Sequence, residues 1–218
     1  MSSRLQAGRQ RVRTPEPAGP ACGEATSGRT SLPTMPVASE YVVLLDEQRR
    51  PVGRALKAGV HHASTPLHLA FSLYLFDEQG QVLLTQRAST KRTWPGTWSN
   101  ACCGHPAPEE DLEAAVRRRV GQELGVEVVG LRPVLPHFAY YAVDAGGTVE
   151  NEYCPVFAGI VQGVPAPLPE EVAALAWLPW PGLLALAASP VSRLSPWSVL
   201  QLEQLGLAGF APSDLLSA

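Results

Sequence analysis

No run of about 18 apolar residues occurs in the 218-residue chain, and no apolar core of the signal-peptide type follows Met1, so neither a membrane span nor secretion is expected. Cytoplasmic location is the default that remains. Cysteine is scarce: Cys22, Cys102, Cys103 and Cys154 show no disulfide-framework spacing, and bridging the neighbours Cys102 and Cys103 would close a strained ring. Free thiols are expected. Charge of one sign is also missing. A formal net charge of -3 gives no broad basic surface, which argues against nucleic acid, whose binding rests on neutralising phosphates. No internal repeat is present. With 45% hydrophobic residues the chain is long enough to bury one domain with some excess at its ends.

The excess is at the N-terminus. Residues 1–38 carry five arginines, two glutamates and five prolines among Ser, Thr, Ala and Gly, with few large aliphatics. Such a segment cannot offset its ordering entropy by burial, and a disordered tail is expected. A transit peptide is weakened by Glu16, Glu24 and the prolines; Met35 offers a different start. The domain is expected over 39–208, with 209–218 as a C-terminal tail.

From residue 40 the pattern is mixed. YVVLLD (41–46) and PVGRAL (51–56) read as a hairpin, as do LAFSLYLF (69–76) and VLLTQR (82–87). Between Pro108 and Gly125, Leu112, Ala115, Val116, Val120 and Leu124 recur at three- and four-residue steps, which predicts a helix capped at Gly125. Strands are expected at 134–143 and 153–161, and short helices at LLALAAS and WSVLQLEQLGL. Strands on both sides of a central helix imply an α+β fold, an α/β/α arrangement with a mixed β-sheet.

The segment GHPAPEEDLEAAVRRRVGQELGV (104–126) aligns without gaps to the Nudix pattern of enzymes that handle diphosphates, through Gly104, Glu110, Arg118, Val120, Glu123, Gly125 and Val126. It departs from the pattern at Arg119 and Gln122, where glutamates belong. Losing two carboxylates from a metal-holding cluster cripples hydrolysis but leaves a diphosphate grip. Arg119 and Glu123, four apart on a helix, can offer a guanidinium and a carboxylate to one ligand, or simply pair with each other. Glu110 is expected to act at the helix start rather than in chemistry.

Two further groups carry chemistry. Glu150 and Glu152 in VENEYC would project to one side of a strand, about 7 Å apart. His61, His68 and His105 stand in HHASTPLHLAF and CCGHP, and with the two glutamates they form a plausible five-ligand set for a divalent ion. Spacing leaves His61 and His62 interchangeable, while His62 and His137 otherwise read as surface or core histidines.

The segments HHASTPLHLAFS, QRASTKRTWPGTWSNACCGHP, the altered box, VENEYCPVF and SPWSV together resemble the type 1 isopentenyl-diphosphate isomerases of the Nudix fold superfamily, over about residues 38–202. The resemblance implies interconversion of isopentenyl and dimethylallyl diphosphate with divalent metal and without flavin. It implies Cys103, Glu152 and Tyr140 as catalytic residues, and His61, His68, His105, Glu150, Glu152, Glu123 and Cys103 as candidates for metal contact. It further implies that Lys57, Arg87, Lys91, Arg119 and Trp197 bind substrate. Magnesium is expected, with manganese or zinc at the His/Glu site, in a monomer or weak homodimer.

On this reading an acid and a base flank a planar alkene that passes through a carbocation-like state: Glu152, assisted by Tyr140, donates a proton and a Cys103 thiolate, its pKa lowered by nearby charge, takes the other. Trp197, with Trp98, would face the cation and exclude water; Trp94, Trp177 and Trp180 are expected in the core. A one-residue slip would exchange Tyr140 for Tyr141. The alternatives are a Nudix pyrophosphohydrolase, which explains Arg119 and Gln122 poorly, and a non-catalytic protein with a structural metal site.

Overall fold

The protein's structure, a computed structural model, describes residues 40–216; the expectations for the tail 1–38, Cys22 and Met35 lie outside the described residues. In chain order the elements are β1 (Tyr41–Leu45), β2 (Pro51–Leu56), α1 (Lys57–Val60), β3 (His68–Leu69), β4 (Phe71–Phe76), β5 (Gln81–Arg87), β6 (Trp98–Ser99) and β7 (Cys102–Gly104). There follow α2 (Leu112–Leu124), β8 (Glu127–Leu135), β9 (Ala139–Val143), β10 (Val149–Tyr153), β11 (Val156–Gln162), β12 (Val172–Pro179), α3 (Trp180–Ala187), α4 (Pro196–Leu207) and α5 (Ser213–Leu216).

The fold is α+β, with its strands in two mixed sheets. One has five strands in the order β2-β1-β3-β10-β9; the other has seven, ordered β12-β5-β4-β11-β8 with β6 against β5 and β7 against β4. Two parallel pairs tie the sheets together. β3 runs beside β10 in the first sheet and, past Ala70, its continuation β4 runs beside β11 in the second. Ala70 N–H donates to Tyr153 O (2.9 Å) and Ser72 N–H to Pro155 O (3.1 Å), so pairing carries through the break. Pro155, which cannot donate to a ladder, ends β10 and divides the expected strand 153–161. A turn at residues 136–138 likewise divides the expected strand 134–143 into the end of β8 and β9.

The hairpin β1/β2 forms in antiparallel register. The second expected hairpin opens after one pair, Phe76↔Val82, because β7 lies against β4 and β6 against β5. β4 is buried on both faces, as its near-continuous apolar run requires. Phe71, Leu73 and Leu75 pack with Ala115, Val116, Val120 and Leu124 of α2. Tyr74 and Phe76 face Trp180, Leu183, Trp197, Leu202 and Leu205 of α3 and α4. The seven-stranded sheet is thus covered on both sides.

Asp111 caps α2 by accepting from Glu113 N–H (2.9 Å) and Ala114 N–H (3.1 Å), and Gly125 closes it in the left-handed region at φ 65°. The segment expected as a C-terminal tail carries α5, whose Leu215 is buried, and Trp180 Nε1–H donates to Phe210 O (3.1 Å). Its apolar residues, Phe210 and Leu215, supply a burial that the tail reading overlooked. No helix among the described residues is long and apolar enough to cross a membrane.

Candidate active site

Where the two sheets join, three histidines and a glutamate converge. His61 follows α1, His68 lies on β3 directly beside Glu152 of β10, and His105 stands one residue beyond β7. Their ligand atoms all lie within 4.8 Å of one another. Glu152 Oε1 is 3.1 Å from His105 Nε2 and 3.5 Å from His68 Nε2, and the two Nε2 atoms are 3.2 Å apart. His68 Nδ1 faces Pro66 O at 2.9 Å, which directs the lone pair of its other nitrogen into the cluster. His62 points elsewhere, accepting from Ser64 N–H at 3.1 Å, and His137 is exposed; of the neighbours His61 and His62, the cluster includes His61.

The donor set suits a divalent ion. His61 Nε2 and His105 Nδ1 are buried without a partner among the described residues, a cost that a bound cation relieves at His61. Burial, together with the charges of His105 and His68, pushes the His61 imidazole down to about 4, so at neutral pH it is uncharged, the form a metal would require. Burial also lowers His105, against the pull of Glu152. For His68 burial is outweighed by hydrogen bonds to Glu152 and Pro66, and its pKa rises.

Tyr140 of β9 lies opposite Glu152 of β10 and donates its hydroxyl to Glu150 Oε2 (2.6 Å) or Glu152 Oε2 (2.9 Å). Both carboxylates are buried on the same face, as strand alternation requires; Tyr141 points out, 62% exposed. The carboxyls differ in character. Burial and the charge of Glu152 raise Glu150 to about 7. Burial would raise Glu152 too, but His105 and His68 outweigh it and hold the carboxylate well below its usual range. Glu150 is outside the four-residue cluster.

Cys103 lies on β7 opposite Ser72 of β4. Its Sγ is 3.2 Å from Asn100 Oδ1 and 3.4 Å from Ser72 Oγ. Cys102 projects to the opposite face, toward α2, so only Cys103 reaches the site. The protein's own groups do not lower the thiol pKa: burial pushes Cys103 up to about 11, although it bonds with Ser72 and donates to Asn100 Oδ1, and the Glu152 charge adds to the rise.

Beneath the thiol is a buried polar network that motif reading missed. Asn100 Nδ2 donates to Leu73 O (3.1 Å) and Cys102 O (2.9 Å), which turns Oδ1 toward Cys103 and Trp197 Nε1 (3.2 Å). Gln201 Nε2 donates to Ser72 Oγ at 2.9 Å and its Oε1 accepts from Tyr74 at 3.1 Å. One signal was available: Ser198 and Gln201 share the buried face of α4 with Trp197, Leu202 and Leu205. Trp197 packs at 5.7 Å between the rings of Tyr140 and Trp94. Trp94, expected in the core, is held at φ 50° with an unpartnered buried Nε1 beside the site; Trp180 is core, and Trp98 and Trp177 are partly buried against the two clusters.

Most of the cations expected to bind the diphosphate are already partnered within the protein. Arg119 pairs with Glu123 and lies 3.6 Å from Glu171; Lys91 pairs with Glu171; Lys57 meets Glu40 at 2.6 Å. Arg87 donates to Thr93 O at 2.9 Å. The intrahelical pair of Arg119 and Glu123 therefore forms, and Glu123 joins no metal-ligand group among the described residues. Glu110 accepts from Ala107 N–H (2.7 Å) and from Arg118 (2.7 Å), holding the start of α2 as expected. Glu40 and Glu171 were not anticipated, because neither lies in a motif.

The NUDIX domain family matches residues 66–197. The chain is similar to the isopentenyl-diphosphate Delta-isomerase of Mycolicibacterium vanbaalenii, 56% identical over 176 residues that cover 81% of this chain and 97% of that one. It is 51% identical to the Saccharopolyspora erythraea protein of the same name over 175 residues, 80% of this chain and 90% of that one. Among solved structures, one from Deinococcus radiodurans matches with a TM-score of 0.59 at 20% identity, covering 76% of this chain and 98% of that one. That likeness concerns the fold alone.

Proposed function

The chain belongs to the isopentenyl-diphosphate Delta-isomerase family of NUDIX-domain proteins and interconverts isopentenyl and dimethylallyl diphosphate, and we propose that Cys103 and Glu152, with Tyr140, move the protons. The observation that carries this reading is one arrangement: a half-buried thiol packed against the cluster that contains Tyr140, and a buried carboxylate to which that tyrosine is bonded. Isomerisation adds a proton at one carbon and removes one from another, so the two groups need one proton between them. With no charge but the protein's own, burial favours the proton on sulfur, while His105 and His68 favour ionised Glu152. This is the state for one direction. The opposite direction starts with Glu152 protonated and Cys103 as thiolate, the assignment expected from sequence, and each turnover converts one state into the other.

Tyr140 connects Glu152 to Glu150, whose carboxyl holds a proton near neutral pH. As Tyr140 gives its hydroxyl proton to Glu152 it accepts one from Glu150, which re-protonates the carboxylate; the pair is reset once Cys103 has given its proton to solvent and Glu150 has regained one from it. Trp197, flanked by Tyr140 and Trp94, presents ring faces that stabilise a developing cation and keep water away. His61, His68, His105 and Glu152 would hold a divalent metal; a bound dication polarises Glu152 and lowers its affinity for a proton. Lys57, Arg87, Lys91 and Arg119 grip the diphosphate, with Glu123 as the carboxylate for a magnesium ion there. Cytoplasmic location and a monomer or weak homodimer complete the proposal.

Incubation with isopentenyl diphosphate in deuterated water, with and without chelator, tests it. Deuterium should enter substrate and product only with metal present. Cys103→Ala and Glu152→Gln should each abolish turnover with the fold intact, and activity surviving both changes would sink the mechanism.

A further inference from the structure

At the diphosphate end, three of the four cations already have an anion. Lys57 is paired with Glu40, Lys91 with Glu171, and Arg119 with Glu123 and Glu171, while Arg87 is held by Thr93. Lys57, Lys91 and Arg119 are thus matched by three carboxylates. A diphosphate ester is multiply ionised near neutral pH, and this site cannot balance it alone.

The three carboxylates are not equivalent. Glu40 lies at an open edge, where solvent screens its pair with Lys57. Glu123 is deep on α2 and nearly buried. Glu171 alone touches two of the cations, and it does so through one oxygen, Oε2. Its position is fixed by backbone. Ala88 N–H donates to Glu171 O at 3.0 Å while Ala88 O accepts from Lys91 N–H at 3.1 Å, so both partners hang from one residue. The preceding segment is tied to the end of α2, where Leu168 N–H donates to Glu123 O at 2.9 Å.

Resting on the diphosphate reading of these cations, we infer that Glu171 is a specificity-determining residue that makes diphosphate recognition depend on an accompanying divalent cation. Its carboxylate stands where a phosphate oxygen would be held between Lys91 and Arg119. A bare diphosphate must compete with it for both cations and is repelled by it. A diphosphate that arrives with a divalent ion brings compensating charge and can share them. The residue thereby favours the metal complex over the free anion, which raising the affinity of every cation for every phosphate would not do.

The test is calorimetric titration of the full chain with inorganic pyrophosphate, in chelator and in excess magnesium, for the wild type, Glu171→Gln and, as an exposed control, Glu47→Gln. The wild type should bind well only with magnesium. Glu171→Gln should tighten binding in chelator by about tenfold or more and shrink the ratio between the two conditions, while Glu47→Gln leaves the ratio unchanged. An unchanged ratio in Glu171→Gln overturns the inference. So does equal weakening in both conditions, which would make Glu171 a mere support for Lys91 and Arg119. A wild type that binds pyrophosphate in neither condition instead overturns the diphosphate reading. Should Glu171→Gln fail to fold, Glu171→Ala, which removes the same charge, carries the same expectation.

Discussion

Cys103 shows how far a residue's chemistry depends on what surrounds it. Burial holds its thiol near 11, raised from 9.0, so about a hundredfold less thiolate is present at neutral pH than for an unperturbed thiol of that kind. Alkylation of Cys103 by iodoacetamide in chelated, substrate-free protein, followed by peptide mass spectrometry, should be slow at pH 7 and accelerate as pH rises toward 11. Fast labelling that levels off by pH 8 would contradict the burial argument. The histidines allow a second residue-level expectation. His61→Ala should lower the metal retained after dialysis at least about tenfold, whereas His62→Ala should leave it unchanged, because only the His61 ring enters the cluster. The motif-bearing residues were legible because short segments such as CGHP and VENE place them at fixed spacing. Asn100, Ser72 and Gln201 were not, since each matters only through a partner distant in sequence, as Gln201 does through Ser72.

At the scale of elements, α2 was legible at both ends, because its cap, its apolar spacing and Gly125 all act locally. The second hairpin misled for the opposite reason: β6 and β7 are too short to show a strand pattern, yet they separate β4 from β5. β7 also explains the first glycine of the box. A Cβ at Gly104 would stand 2.9 Å from Phe71 Cζ and 3.1 Å from Arg119 Cγ, so the glycine lets α2 and its guanidinium approach the strand. Gly104→Ala should cost about 1–3 kcal/mol of stability and raise KM, because Arg119 must shift. Asp111→Ala, which removes two capping bonds at the far end of the same helix, should cost about 1 kcal/mol and leave KM alone. Thermal melts beside steady-state kinetics separate the two; equal effects on KM would show that α2 moves as one body.

Across the whole molecule, the site opposes the stability of the fold that carries it. Glu150, Glu152, His68, Arg119 and Glu123 are all buried in a domain otherwise built on two apolar clusters. The sign of the Glu150 contribution follows from its raised pKa. Folded protein binds its proton up to about pH 7, whereas the unfolded chain releases it near 4.5. Stability from this group is therefore fully present below about 4.5 and is lost as pH rises through about 7. Glu152 has the opposite sign: its lowered pKa favours the fold above the usual carboxylate range and loses that support in acid. Comparison with Glu150→Gln isolates the first effect, because Glu152 is common to both proteins. Measured by denaturant unfolding in chelator, the variant should gain on the wild type between pH 5 and pH 8 by on the order of 2 kcal/mol. Saturating divalent metal should narrow that gap, since a cation held by the neighbouring histidines and Glu152 makes ionised Glu150 less costly. A gap that does not change with pH would mean that Glu150 is already ionised in the fold, and Tyr140 would then have no proton to pass on.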